Sequence, residues 1–270
     1  MKKNKFVLIY VFIICLLVVT ACTNDSKEVK NSKKVKDSDD YVTILVAAAS
    51  SMEYSLSEII QMFEGEYTWI NVEATYDSSG KLQRQVEEGL DADLFLSAGI
   101  KQMDALKEEG LVDNDSIVDL LENKLVLIVP SFGESSVRGF ENILEAETIA
   151  IGDPKSVPVG QYAEMIFTNM NIYSQVLEKA SLATNVTQVL NWVGEGSADV
   201  GIVYSTDAAT TDKVRVLEQA PEESLDARVI YPLGLVSSSK NKEAANLFIE
   251  YLQTKDVSQV FEEYGFSVID

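Results

Sequence analysis

Four short segments, far apart in the chain, hold the residues best suited to chemistry: Ala47 to Ser51, Asp77 to Gly80, Val157 to Gly160 and Gly201 to Tyr204. Each closes a strand-like run or opens a helix-like one, and each offers hydroxyls, small residues or bare backbone N–H groups rather than charges. The first N–H groups of a helix lack an intrahelical acceptor and sit at the positive end of its dipole. Several such ends, with serine hydroxyls beside them, can replace the water around a dianion. Taken singly, each segment has a simpler account. Ser50 with Ser51, and Ser78 with Ser79, suit helix N-caps. Gly152 to Gly160, with Pro154 and Pro158, suits a turn followed by a helix start. Tyr204 suits a half-buried packing position whose hydroxyl meets water. Two hydroxyl-rich helix starts after two strands of one lobe weigh toward a shared ligand.

Catalysis is not expected. The 270 residues contain no histidine, which removes a Ser-His-Asp triad and an ordinary zinc site. A Ser-Lys pair using Lys81 or Lys155 has no spacing that brings amine and hydroxyl together. Glu87-Glu88 and Asp39-Asp40 read as solvated surface, and Asp93 and Asp199 as strand-start or turn residues. No cofactor is expected.

The ends of the chain speak to location. Lys2, Lys3 and Lys5 precede an apolar run from Phe6 to Val19, then Val19-Thr20-Ala21-Cys22. The run is shorter than the roughly 20 residues a spanning helix needs and closes on small residues. We read 1–21 as a signal peptide of the lipoprotein type and Cys22 as the lipidated first residue. That places the mature protein outside the cytoplasm, anchored to the cell membrane by lipid. Cys15 leaves with the signal, so the folded part has no free thiol and no disulfide. Residues 22–40 are almost wholly polar and charged, a flexible tether with a reach of about 25 Å. Loss of three lysines from 22 basic residues, against 43 acidic ones, takes the net charge from −21 to −24. Nucleic acid is not expected as a partner. An anion would be repelled at long range, so its affinity must come from local, water-excluded dipoles.

Short apolar strands alternate with amphipathic helices from Tyr41 onward. Leu56, Ile59, Ile60 and Phe63 recur at helical spacing, as do Ala163, Ile166, Phe167 and Met170, and Val186, Val189, Leu190 and Val193. These are core-facing stripes. The pattern predicts an α/β fold with mainly parallel sheets. Glu87 to Leu96 and Gly194 to Val203 echo each other, each running from a helix end into a strand. We therefore expect two similar lobes: 41–124 with 233–270 as lobe 1, and 125–232 as lobe 2. Leu125 to Val129 and Tyr231 to Val236 are expected as the strands that cross between lobes, with the last helices returning to the first. A hinge near Leu125 to Pro130 and Tyr231 to Val236 would close the cleft on a ligand.

The same residues resemble the molybdate-binding proteins of ABC transporters. The resemblance runs from about Ile44 to the C-terminus. It is carried by Ala47 to Ser51, Ser78-Ser79-Gly80 with Leu82 and Arg84-Gln85, Ala92 to Phe95, and Gly152-Asp153-Pro154 with Val157-Pro158 and Gly160. Gly201 to Tyr204 with Asp207-Ala208, and Tyr264-Gly265-Phe266, complete it. It implies a two-lobed, periplasmic-binding-protein-like type II fold with the ligand in the interlobe cleft. Molybdate or tungstate would be held by hydrogen bonds alone: hydroxyl and N–H of Ser51 and of Ser79, N–H of Val159 and of Val186, and the hydroxyl of Tyr204. Ser50-Ser51-Met52 offers two registers, and gapless alignment of Leu56, Ile59 and Phe63 favours Ser51 over Ser50. The metal would have no direct protein ligand. The resemblance further implies a monomer that hands its oxyanion to ABC permease subunits. The rival ligands are sulfate, phosphate or another small anion. Phosphate can carry a proton, and Asp77 and Asp153 lie near enough in sequence to accept it.

Overall fold

A computed structural model describes residues 41–269. The expected signal peptide, Cys22 and tether lie outside the described residues.

The chain opens with β1 (Val42–Ala49), α1 (Glu53–Glu66), β2 (Ile70–Asp77), α2 (Ser79–Glu87), β3 (Leu94–Leu96) and α3 (Ile100–Glu108). β4 (Val118–Asn123) and β5 (Leu125–Pro130) follow with one residue between them. Then come β6 (Ile149–Gly152), α4 (Pro158–Asn169), α5 (Tyr173–Lys179), β7 (Ala180–Ala183), α6 (Val186–Gly194), β8 (Val200–Tyr204), α7 (Ser205–Ala209) and β9 (Val214–Gln219). The end of the chain supplies β10 (Val229–Leu235), α8 (Lys242–Leu252), α9 (Lys255–Glu263) and β11 (Ser267–Val268).

The strands form two sheets, ordered β11-β4-β10-β3-β1-β2 and β7-β6-β8-β5-β9. In the first, β1 pairs in parallel with β2 and β3; in the second, β6 does so with β7 and β8. The central strand of each trio reads as a continuous apolar run because helices cover both faces. Ile44, Val46, Ala47 and Ala48 in β1, and Ile149, Ala150 and Ile151 in β6, are fully buried. The helix stripes behave as their spacing predicts: Leu56, Ile59 and Phe63 of α1 and Val189 and Val193 of α6 are fully buried.

The sheets are mixed rather than mainly parallel. β10 runs antiparallel to β3 and β4, and β5 antiparallel to β8 and β9. The reason is connectivity. The chain passes from β4 in the first sheet to β5 in the second across Lys124, and returns from β9 to β10 across 220–228. Each arriving strand inserts beside a parallel trio against its direction. The strands expected to span the lobes therefore each belong to one sheet, and the crossing is made by the residues between them. The expected boundary at 232/233 falls inside β10, all of which pairs in the first sheet.

The predicted echo between the lobes is present in detail. Gly89 (φ +94°) and Gly196 (φ +73°) end α2 and α6 in the left-handed region that favours glycine. In each case the next N–H reaches back five residues, Leu90 to Gln85 and Ser197 to Trp192. Asp93 and Asp199 then stitch strand starts: Asp93 Oδ2 accepts from the Leu45 N–H at 2.8 Å, and Asp199 Oδ2 from those of Glu147 and Thr148 at 2.9 and 2.8 Å.

Candidate oxyanion site

The C-terminal ends of β1, β2, β6, β7 and β8 open on one cavity within the compact unit Ser38–Asp270. This is where open α/β sheets place their ligands. Its walls are Ala49, Ser50, Ser51, Asp77, Ser78, Ser79, Ala98, Val157, Pro158, Val159, Val186 and Tyr204. All six residues singled out in the sequence, Ser50, Ser51, Ser79, Val159, Val186 and Tyr204, are therefore brought together. The enclosed space is about 10 Å³, far below the roughly 300–1,000 Å³ of sites for larger organic ligands.

Helix starts build this wall. Ser51 lies in the 3-10 turn Ser50–Met52 that leads into α1, and Ser79 is the first residue of α2. Val159 follows Pro158 at the start of α4, and Val186 opens α6. At these positions no carbonyl stands one turn back to accept from the backbone N–H. Asn185 caps α6 by accepting from the Gln188 N–H at 2.9 Å, and Val186, the first residue of that helix, lies in the cavity wall.

Two hydroxyls are oriented from behind. The Ala98 N–H donates to Ser79 Oγ at 2.9 Å, so the serine proton is left to point elsewhere. Ser51 Oγ shares a hydrogen bond of 3.0 Å with Tyr231 Oη, which also accepts from Asn123 Nδ2 at 3.2 Å. Where Tyr231 is the donor of this pair, the Ser51 proton is free for the cavity. Tyr204 Oη donates to the Ala98 carbonyl at 3.3 Å. Burial pushes the Tyr204 and Tyr231 phenols well above their ordinary range, so both stay neutral donors.

No Lys or Arg side chain lines the cavity. The nearby ammonium of Lys81 is paired with Asp77 at 3.1 Å, and Asp77 Oδ1 also accepts from the Ser78 N–H at 2.8 Å. Asp153 is absent from the wall, and its Oδ1 accepts from the Lys155 N–H at 3.0 Å. Among the described residues no group of three or more Asp, Glu, His or Cys could hold a metal cation.

The lobes touch around the cavity. The Gly80 N–H donates to the Ser156 carbonyl at 3.0 Å, and Gln102 Nε2 to Gln161 Oε1 at 3.1 Å. At the crossover, Asn123 also donates to Thr206 Oγ1 at 2.9 Å and accepts from Ser205 Oγ at 3.1 Å. Asp207 lies behind Tyr204, whose N–H it accepts at 3.3 Å, and burial pushes its carboxyl up to about 7.

Residues 44–267 match the model of one protein family, the bacterial extracellular solute-binding proteins. This chain belongs to that family. Among curated relatives of this solute-binding protein, YvgL of Bacillus subtilis (strain 168), named as an ABC transporter substrate-binding lipoprotein, is 35% identical over 264 residues. The alignment covers 98% of both chains. The molybdate-binding protein ModA of Haemophilus influenzae is 33% identical over 231 residues, covering 83% of this chain and 89% of its own. Among solved structures, the sulfate-binding protein SubI of Mycobacterium tuberculosis H37Rv superposes with a TM-score of 0.73 at 18% identity. That match covers 85% of this chain and 88% of SubI and bears on the fold alone. The solute-binding protein thus has the two-lobed, periplasmic-binding-protein-like α/β fold that its sequence resemblance to molybdate-binding proteins implies.

Sequence reasoning passed over Ala98, Tyr231 and Asn123. Ala98 had a signal: Ser97-Ala98-Gly99 is a small-residue run after β3, as Ser50-Ser51 is after β1. Tyr231 was visible only as a tyrosine inside an apolar strand.

Proposed function

We propose that this chain is a lipid-anchored, extracytoplasmic receptor for molybdate or tungstate that delivers its oxyanion to an ABC permease. Its carrying observation is the wall itself: four helix starts and a set of pre-oriented neutral hydroxyls around one small cavity without a cationic side chain. A hydrogen bond to a charged group contributes about 1.5–3 kcal/mol, so several converging donors suffice for tight binding despite a net charge of −21. Ser51 and Ser79 donate through hydroxyls, Tyr204 through its phenol once the oxyanion takes the proton now given to the Ala98 carbonyl, and Ser51, Ser79, Val159 and Val186 through N–H groups; Ser50 flanks them.

Donors alone disfavour a protonated oxyanion, whose O–H needs an acceptor. Asp77 stands in the wall but is engaged by Lys81 and the Ser78 N–H, which speaks against a phosphate site. Sulfate has the charge and shape of molybdate, and discrimination rests on the larger radius that a wall of backbone donors is set to meet. The ModA relative supports molybdate, and YvgL, aligned over 98% of this chain, supports the lipid anchor.

The test is calorimetric titration of the full chain in mild detergent with molybdate, tungstate, sulfate and phosphate. Heat with the first two and little with the others is expected. Heat with sulfate or phosphate alone refutes the assignment.

A further inference from the structure

Ser78 occupies the N-cap of α2 in the extended conformation typical of a cap (φ −64°, ψ 141°), yet its side chain makes no capping bond. The usual recipients are already taken or bypassed. The Gly80 N–H crosses to the Ser156 carbonyl at 3.0 Å, and the Lys81 N–H returns to Ser78's own carbonyl at 3.0 Å. That carbonyl also accepts from the Leu82 N–H at 3.1 Å, while the Ser78 N–H donates to Asp77 Oδ1 at 2.8 Å. Every polar atom of the residue is committed except Oγ, which is buried without a partner in a residue only 3% exposed. Such a hydroxyl is costly to leave unmatched. Ser78 also stands in the wall of the oxyanion cavity, beside Ser79.

We propose that the Ser78 hydroxyl is a direct donor to the bound tetrahedral oxyanion, in addition to Ser51, Ser79, Val159, Val186 and Tyr204. This rests on the oxyanion reading above. The interlobe bond of Gly80 is what frees it: with the Gly80 N–H spent on the facing lobe, the serine has no helix N–H left to cap and turns to the ligand.

The experiment compares wild type, Ser78→Ala, Ser78→Gly and Ser79→Ala in the full chain, by titration with sodium molybdate and by thermal unfolding without ligand. Loss of one hydrogen bond to a charged group is expected to weaken molybdate binding about 10- to 150-fold in Ser78→Ala. The ligand-free unfolding temperature should stay close to that of wild type, which separates lost affinity from lost folding. Ser78→Gly keeps a favoured cap residue while deleting the hydroxyl, and should lose the same affinity. If both Ser78 variants bind within twofold of wild type while Ser79→Ala binds weakly, Ser78 is not a ligand and the oxyanion reading survives. If wild type gives no molybdate heat, that reading falls and takes this one with it.

Discussion

Gly80→Ala tests whether the facing lobes must meet at the start of α2 for the oxyanion to be held. A Cβ at this position would stand 2.4 Å from the Ser156 carbonyl oxygen, 2.8 Å from its Cα and 2.9 Å from its carbonyl carbon. All three are backbone atoms of a turn closed by the Ser156 and Val157 N–H bonds to the Asp153 carbonyl, at 3.0 and 2.8 Å. They cannot swing aside as a side-chain tip would. Reaching even 3.0 Å from that oxygen needs about 0.6 Å of separation, which also breaks the Gly80 to Ser156 bond. Overpacking of this kind costs about 1–3 kcal/mol and the bond about 1 kcal/mol. Because both terms act only when the lobes are in contact, they should appear as affinity: roughly 30- to 1,000-fold weaker molybdate binding by calorimetry. Alanine favours helix over glycine by up to about 1 kcal/mol, so the ligand-free unfolding temperature should not fall. Gly65→Ala, where an added Cβ meets nothing within 4 Å, is the matched control and should bind as wild type. Wild-type affinity in Gly80→Ala would refute the reasoning, since the bound state would then not include this contact.

Three further outcomes follow from the geometry. Tyr204→Phe keeps the buried ring but deletes the phenol that meets Ala98, and molybdate affinity should fall about tenfold or more in titration. Ser79→Ala strands the Ala98 N–H in a buried place, so chemical denaturation without ligand should show about 1–3 kcal/mol lost as well as weaker binding. Asp207 is pushed up to about 7 by burial. Between its unfolded value of 3.8 and about 7 the folded chain holds a proton that the unfolded chain has released. This group's stabilising contribution therefore declines as pH rises through that window and levels off above it. Asp207→Asn removes the decline, so unfolding temperatures measured from about pH 5 to about pH 8 should diverge increasingly in the variant's favour. A constant gap would contradict it.

Much of this architecture is local information. The stripe from Leu56 to Phe63, the paired runs into Asp93 and Asp199, and the serines before α1 and α2 all act within a few residues of where they stand, so spacing and type reveal them. What stayed hidden depends on partners far along the chain. The placement of β10 between β3 and β4 joins residues more than 100 positions apart, and no periodicity in Val229 to Leu235 announces its direction. Tyr231 reaches Ser51 across 180 positions. Ser78 looks like an ordinary cap until the Gly80 N–H is seen to leave for Ser156. Apart from Ala98, the candidate wall was legible residue by residue; the hydrogen bonds that aim it were not.

The exchange of strands between the lobes also bears on the order in which the protein is made. β5 to β9 occupy one uninterrupted stretch, Leu125–Gln219, whereas the first sheet needs β10 between β3 and β4. On the ribosome, β1 to β4 emerge first yet cannot join into a single sheet until Val229–Leu235 has been synthesised. The later-made lobe can therefore close before the earlier one, reversing the usual N-to-C order of domain folding. A chain truncated after Ala220 should show slow hydrogen exchange in β5 to β9 while β4 exchanges freely, and the late-made strand Val229–Leu235 is what locks the first strands in place.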